Sequence, residues 1–222
     1  GGMLQLRALD DFTPRPLPGT AGASMPAFSP DGKWLAFHQD GHLRKMALAG
    51  GSVVEIAPAD VGPGITWGED ERIYFSSLGG NGGIWRVPVA GGVPEPVTTV
   101  SDSAAEHAHA WPQLLPGGKQ LVFTVLGPSG GALDSRIVVE DIGSGVHRTL
   151  VEQGTFGRYL TSGQLLYVSN EGSVFATAFD RRKGVVVGTP QQVLADVYVA
   201  SWGGAALLAV AGGQRLWQDP RL

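Results

Sequence analysis

The chain reads Ser29-Pro30-Asp31-Gly32-Lys33-Trp34-Leu35-Ala36-Phe37 near its start, a turn followed at once by a short apolar strand that ends in an aromatic residue. Pro fixes φ and Gly accepts the left-handed conformation, so this composition is typical of a turn. The arrangement recurs along the chain, and the terminal aromatic residues lie at positions 37, 75, 123, 167 and 217. This irregular spacing matches the roughly 40–50 residues of a four-stranded propeller blade.

Each repeat also carries the other strands that a blade needs. An inner strand precedes the turn, as at residues 26–28, and a third strand follows the aromatic one, as at residues 43–48. Ala49-Gly50-Gly51 and Ala90-Gly91-Gly92 then turn the chain into outer strands at residues 53–56 and 96–100. Several of these segments alternate large apolar and polar residues, the period-two pattern of a half-buried strand. The sequence therefore predicts an all-β fold, a β-propeller of about five four-stranded blades.

The two ends of the chain together supply the last blade of this prediction. Four complete blades are expected at about 25–60, 62–100, 108–152 and 155–197. The C-terminal part supplies two more strands, and the N-terminal part another two, so we expect a blade closed by both termini, from residues 198–222 plus 3–20. Closure removes exposed sheet edges, and the whole chain 1–222 then forms a single propeller domain. The alternative is a fragment of a six- or seven-bladed propeller.

Composition excludes several other classes of protein. The 34 Gly and 15 Pro among 222 residues oppose helix interiors, which excludes a helical bundle. The net charge is −4 and the basic residues are scattered, so no nucleic-acid partner is expected. The longest apolar stretch, 205–211, is far shorter than the ~20 residues that span a bilayer, so we expect no membrane insertion by this segment. The chain has no cysteine, so it has no disulfide and no thiolate site. Cysteine usage therefore does not indicate the cellular compartment.

The chain resembles the TolB-like, WD-repeat-like β-propellers of bacteria. Phe28-Ser29-Pro30-Asp31-Gly32-Lys33 followed by Leu35-Ala36-Phe37 is similar to the signature turn and strand of that family. Arg15-Pro16-Leu17-Pro18-Gly19-Thr20 and His109-Ala110-Trp111-Pro112-Gln113-Leu114-Leu115-Pro116 resemble propeller segments that follow bacterial serine/threonine kinase domains. The other blades lack the full signature, as in Gly68-Glu69-Asp70-Glu71, so no repeated Asp-based site is implied. The resemblance implies a non-catalytic scaffold for protein interaction or sensing, sometimes attached to an enzyme.

Motifs for catalysis are incomplete in this sequence. Gly127-Pro128-Ser129-Gly130-Gly131 fits the pattern of a hydrolase nucleophile, but that chemistry needs a strand-to-helix elbow and the serine here precedes a strand. The turn at residues 29–34 is similar to the Asp-box of sialidases, yet it is one residue short on each side of its Gly and occurs once. Kinase motifs are missing, since His147-Arg148-Thr149 lacks the required Asp. We therefore expect no enzyme activity and no catalytic residue in this chain.

Glu106-His107-Ala108-His109 is the one group that resembles metal ligands. A His-x-His pair on a strand points both rings to one face, which suits Zn²⁺ or Cu²⁺. A third ligand has no clear carrier, so we expect no metal and no cofactor, with His109 hydrogen-bonded to backbone near Trp111 and His107 in solvent.

The loops that enter the inner strands form the expected binding face of the propeller. Blades hold such loops rigidly, and loops on rigid scaffolds commonly carry recognition. The candidate residues on this face are Met25, His107, His109, Thr155 and Trp202. We expect a non-catalytic module of a larger bacterial signalling protein that binds a protein or small-molecule ligand. The alternative is an accessory propeller of a hydrolase, either peptidase or glycosidase. A monomer is favoured, with oligomers if the blades are incomplete.

Overall fold

The computed structural model describes residues 2–8, 13–79, 81–101, 105–200, 203–205, 209–211 and 215–217. Every regular element in these ranges is a β-strand. No helix in this part of the chain is long and apolar enough to cross a membrane.

Four four-stranded antiparallel sheets follow one another along the chain, and we call them blades 1 to 4. Blade 1 contains β3 (Ser24–Phe28), β4 (Trp34–Gln39), β5 (His42–Ala47) and β6 (Val54–Pro58). Blade 2 contains β7 (Val61–Trp67), β8 (Arg72–Ser77), β9 (Ile84–Pro88) and β10 (Glu95–Pro96). Blade 3 contains β11 (Ala108–Leu114), β12 (Gln120–Leu126), β13 (Arg136–Asp141) and β14 (Val146–Glu152). Blade 4 contains β15 (Gly154–Tyr159), β16 (Gln164–Ser169), β17 (Val174–Asp180) and β18 (Val185–Leu194).

Two shorter antiparallel pairs complete the described strands. The N-terminal pair joins β1 (Gln5–Leu6) to β2 (Arg15–Pro16), and the C-terminal pair joins β19 (Ala209–Ala211) to β20 (Arg215–Trp217). The all-β propeller fold that the repeats predict is confirmed, and the two terminal pairs agree with a fifth blade supplied by both ends. The N-terminal pair lies against blade 1, where Leu4, Leu6 and Leu17 contact the cluster around Leu35 and Phe37.

Apolar side chains fill the spaces between consecutive blades. Blades 1 and 2 meet around Leu43, Ile73 and Phe75. A second cluster lies between blades 2 and 3, around Tyr74 and Phe123. A third cluster lies between the corresponding strands of blades 3 and 4. The second strand of a blade is covered on both faces by its neighbours, which is why β8 and β12 are almost continuously apolar rather than alternating.

The outer strand of blade 2 is shorter than the sequence indicates. We expected a strand at 96–100, whereas β10 is only Glu95–Pro96. Beyond Pro96 the amide of Ile84 donates to the side-chain hydroxyl of Thr98 at 2.8 Å, and both Val97 and Thr98 donate to the carbonyl of Ile84. A side chain therefore replaces the backbone ladder and ends the strand.

Candidate functional site

Each of the four inner strands, β3, β7, β11 and β15, carries one irregular residue in its middle. Met25, Gly64, Trp111 and Phe156 have positive φ, between 50° and 107°. The pairing register of each inner strand with its neighbour shifts at this residue. Such β-bulges bend a strand and re-aim the side chains that follow. The same device in all four blades therefore sets what faces the centre of the ring.

A cavity of about 570 Å³ lies between the four inner strands. It is on the side of the bulges where these strands end and the next turns begin. We call this the central cavity. Its described walls are mostly apolar, with four aromatic side chains, those of Phe28, Trp67, Trp111 and Phe156. The volume falls within the roughly 300–1,000 Å³ range of sites for small molecules, which are typically apolar with a few polar groups.

The position two residues after each bulge is equivalent in the four blades and lines the central cavity. It is occupied by Ala27, Thr66, Gln113 and Arg158. Gln113 is held by Tyr159 of blade 4. Its side-chain oxygen accepts from the amide of Tyr159 at 2.7 Å, and its side-chain nitrogen donates to the carbonyl of Tyr159 at 3.1 Å. Among the described residues that line the cavity, Arg158 alone carries a charge.

Arg158 is held by backbone rather than by a carboxylate. Its Nη1 atom donates to the carbonyl oxygens of Trp111 and Gly157, each at 2.9 Å. The centre of the guanidinium group lies 4.1 Å from the centroid of the Phe156 ring, a cation–π contact. Burial lowers the pKa of Arg158 to about 10, so the group stays charged at neutral pH. A fixed positive charge thus faces an apolar cavity.

The opposite end of the ring is crossed by Gly203 and Gly204. The carbonyl of Gly203 accepts from Nε1 of Trp111 at 2.7 Å, and that of Gly204 accepts from the hydroxyl of Thr155 at 2.8 Å. The amide of Gly203 donates to the carbonyl of Gly130, and the residue also lies against Pro63 of blade 2. We call this two-residue segment the glycine clasp. It contacts blades 2, 3 and 4 at the face where the chain enters the inner strands.

The residues that the sequence predicts as a binding face lie in different surroundings. Met25 lines the central cavity, and His107 is exposed beside Gly130. His109 and Thr155 are only 1 % and 0 % exposed, and Thr155 holds the glycine clasp. Trp202 lies outside the described residues. The structure therefore places Met25 in a cavity and buries His109 and Thr155 between blades.

His109 belongs to a buried polar network between blades 2 and 3. Its Nδ1 atom lies 2.7 Å from the hydroxyl of Thr98, and its Nε2 atom lies 3.2 Å from Oε2 of Glu106. Oε1 of Glu106 in turn accepts from Arg136 at 2.5 Å. Burial opposes ionisation of Glu106, but hydrogen bonds from Ser101 and His109 and the charge of Arg136 hold its pKa below the ordinary value.

The histidine itself is kept neutral by its surroundings. Burial lowers the pKa of His109, although Glu106 opposes the effect. A neutral ring that donates from Nε2 to Glu106 and accepts at Nδ1 from Thr98 satisfies both contacts. The partners are side chains, whereas we expected backbone near Trp111. The ring also contacts Phe123, with centroids 4.7 Å apart.

Two other motifs have local structural roles. The hydroxyl of Ser129 donates to Oδ1 of Asp134 at 2.6 Å, and its amide donates to Oδ2 of the same residue at 2.9 Å, so the pair closes a loop. No histidine in the described ranges hydrogen-bonds to Ser129. Within the same ranges, no three His, Asp or Glu side chains are grouped so that they could hold a metal ion.

Sequence reasoning missed Arg158 and the aromatic walls of the central cavity. Trp67 and Trp111 belong to the apolar clusters of the core, and both also line the cavity. The available signal was a charged residue in an inner strand, where the equivalent positions of the other blades hold Ala27, Thr66 and Gln113. Proline beside the bulge residue, as at Pro26 and Pro112, was a second signal, because proline inside a sheet often marks a bulge.

Several solved structures share this architecture. TolB from Agrobacterium tumefaciens superposes with a TM-score of 0.63 at 19 % identity, over 82 % of this chain and 64 % of that one. TolB from Acinetobacter baumannii gives 0.57 at 20 % identity, over 76 % of this chain and 43 % of that one. A puromycin-hydrolysing peptidase from Mycobacterium tuberculosis gives 0.56 at 18 % identity, over 77 % and 32 %.

The fold is that of a TolB-like β-propeller. At these identities the similarity establishes the architecture alone, and the propeller spans less than two thirds of the length of either TolB chain. No protein-family model matches the sequence, and no curated protein matches it.

Proposed function

We propose that this propeller is a non-catalytic binding module that takes its ligand in the central cavity. The observation that carries the proposal is the cavity itself, about 570 Å³ and walled by the inner strands of four blades. Repeated bulges keep its shape fixed, since each is built into a hydrogen-bonded sheet. A preformed apolar cavity with a few polar groups is the usual form of a small-molecule site.

The environment of the candidate chemical groups supports a non-catalytic role. Ser129 is hydrogen-bonded directly to Asp134. Glu106 and His109 are buried among other side chains, and neither belongs to the described lining of the central cavity. A nucleophile needs an adjacent base and room for substrate. We expect a purified sample to be silent in esterase, peptidase and glycosidase screens.

The face where the chain enters the inner strands is proposed as a second contact surface, for a protein partner. His107 is exposed there, while His109 and Thr155 position the surrounding segments from beneath. Alanine substitution at His107 or Trp202 is expected to weaken partner binding. Unchanged binding in both variants would contradict this surface.

We also propose that the module belongs to a larger bacterial signalling protein. Support comes from the resemblance of residues 15–20 and 109–116 to propeller segments that follow kinase domains. The second candidate, an accessory propeller of a hydrolase, draws on the peptidase among the structural relatives. Both candidates assign the chain a binding role.

A cavity-filling variant tests the binding site. Thr66→Trp adds a large side chain at a position that lines the central cavity, whereas Val93→Trp adds the same side chain at a position that is 88 % exposed. A library of small neutral, acidic and basic compounds is screened by ligand-observed NMR. We expect binders of the wild type to be lost in Thr66→Trp and retained in Val93→Trp. Binders that survive in Thr66→Trp would overturn the proposed site.

A further inference from the structure

Resting on the proposed function, we infer that the central cavity recognises a carboxylate carried on an apolar body, and that Arg158 binds the carboxylate. Three features of the cavity point to this class of ligand: the orientation of the guanidinium group, the charges around it and the apolar walls.

The guanidinium group of Arg158 has one edge fixed and one edge free within the described structure. Nη1 is committed to the carbonyl oxygens of Trp111 and Gly157, which fix the plane of the group from two strands. Nε and Nη2 have no hydrogen-bond partner among the described residues, and neither is a buried unpaired atom. These two atoms form a fork that can donate one hydrogen bond to each oxygen of a carboxylate.

The charge of Arg158 is not balanced by a carboxylate in the part of the cavity wall that the structure describes. Its described lining contains no Asp or Glu, and Arg158 forms no ion pair with any residue that the structure describes. A partly desolvated cation without a counter-ion is energetically unfavourable, as the lowered pKa of this group also indicates. An anionic ligand would remove that cost. A single cation matches the single charge of a carboxylate better than the double charge of a phosphate monoester.

The rest of the cavity suits an apolar ligand body. Phe28, which is 56 % exposed, stands at the open side, and Trp67 and Trp111 form neighbouring walls. Phe156 lies directly beneath the guanidinium group. Thr66 and Gln113 are the other polar side chains of the described lining, and Gln113 is already engaged with Tyr159. The walls therefore provide apolar contact around one oriented cation.

Matched pairs of acids and amides test the inference. The probes are 3-phenylpropionate with 3-phenylpropanamide, and hexanoate with hexanamide, titrated against tryptophan fluorescence and ligand-observed NMR. A charge-assisted fork typically contributes enough to favour the acid by about tenfold over its amide. We expect that preference in the wild type and its loss in Arg158→Gln. Equal affinities for acid and amide in the wild type would overturn the inference.

Arg181→Gln is the matched control. Arg181 also lies over an aromatic ring, that of Tyr159, and also donates to a backbone carbonyl, that of Pro116, but it lies outside the central cavity. Its variant should keep the preference for the acid. Arg158→Lys keeps the charge without the fork and should retain only part of the preference, which provides a second measurement if Arg158→Gln folds poorly. Retention of the full preference in both Arg158 variants would also overturn the inference.

Two further comparisons are needed. The first distinguishes the possible sources of the carboxylate, and the second distinguishes binding in the cavity from selectivity for charge. A short peptide ending in Phe is compared with the same peptide carrying a C-terminal amide. If the acid is preferred only in the peptide pair, the ligand is the C-terminus of a protein chain. If the acid is preferred in the small-molecule pairs, the ligand is a metabolite. If acids and amides bind equally and both are lost in Thr66→Trp, the cavity is a binding site and only its charge selectivity is wrong. If the probes bind Thr66→Trp as tightly as they bind the wild type, the proposed function itself fails.

Discussion

Single buried polar groups hold this propeller together at points where blades meet. The hydroxyl of Thr155 in blade 4 donates to Gly204, and Nε1 of Trp111 in blade 3 donates to Gly203. Both contacts join residues far apart in sequence. Because buried carbonyl groups without partners are costly, these two side chains fix the glycine clasp on the ring.

Thr155→Val tests the contribution of one such contact. Valine has nearly the same volume, so the substitution removes the hydroxyl that serves Gly204 without creating a large cavity. We expect the free energy of unfolding to fall by about 1–3 kcal/mol, the usual cost of leaving a buried polar group unpaired. Urea denaturation monitored by tryptophan fluorescence measures it. A change within experimental error would mean that the clasp is held by other contacts.

Glu140 makes the stability of the protein depend on pH. It is 4 % exposed, and burial together with the charges of Glu106 and Asp141 raises its pKa from 4.5 to about 7. Below pH 4.5 the group is protonated in both folded and unfolded states. Between pH 4.5 and 7 only the unfolded chain loses the proton, so this group lowers stability as the pH rises.

Glu140→Gln should remove that dependence. The variant is expected to match the wild type below pH 4.5 and to exceed it by roughly 3 kcal/mol at pH 7.5. His109 acts in the opposite direction, because its lowered pKa reduces stability as the pH falls below 6.5. The difference between wild type and variant at each pH, from urea denaturation, isolates Glu140. A difference that does not grow with pH would contradict the assignment.

At the scale of the strand, the bulges of the inner strands are the elements that shape the cavity. Gly64 has φ of +107°, and a Cβ atom there would lie 2.8 Å from Cα of Trp111 in the neighbouring blade. The close approach of two bulged strands therefore requires glycine on one side. Gly163 also has positive φ, +87°, but a Cβ atom there would meet nothing within 4 Å.

Alanine substitution at these two glycines separates close approach from backbone strain. Gly163→Ala carries only the strain of positive φ, on the order of 1–2 kcal/mol. Gly64→Ala adds a collision with backbone that cannot move freely, so we expect its free energy of unfolding to fall by about 2 kcal/mol more. Thermal and urea denaturation of both variants provide the comparison. Equal losses would mean that blades 2 and 3 can separate at the bulge.

Local patterns explain why the strands were predictable and the positive φ angles at the bulges were not. The turn at Ser29-Pro30-Asp31-Gly32 and the strand after it are decided by neighbouring residues, so the sequence predicts them directly. Positive φ at Trp111 and Phe156 opposes the preference of those residues and is imposed by contacts with other blades. Likewise, Arg158 is oriented by the carbonyl of Trp111 from a different blade. Periodicity along the chain carries no information about such pairs.

At the scale of the whole molecule, closure of the ring is the property that decides whether the module stands alone. The N-terminal pair β1–β2 contacts blade 1 through Leu17, which is 2 % exposed, and the glycine clasp contacts blades 2, 3 and 4. The N-terminal pair and the glycine clasp are thus each in contact with complete blades. Open blade edges would otherwise pair between molecules.

Light scattering after size exclusion measures closure. We expect a monomer near 23 kDa across a concentration series. Leu17→Asp places a carboxylate in the contact with blade 1 and should give a species whose mass rises with concentration, whereas Val93→Asp, at a position that is 88 % exposed, should remain monomeric. Association of the wild type would instead indicate a larger ring assembled from several chains.

The glycine clasp also sets an order of events during biosynthesis. Ribosomes deliver a chain from its N-terminus, so blades 1 to 4 leave the tunnel before Gly203 and Gly204 do. Until residue 204 emerges, the indole of Trp111 and the hydroxyl of Thr155 lack the carbonyl partners that they have in the finished ring. Nascent chains that stop short of this point therefore lack the glycine clasp, and its contacts with blades 3 and 4 form only after residue 204 has left the tunnel.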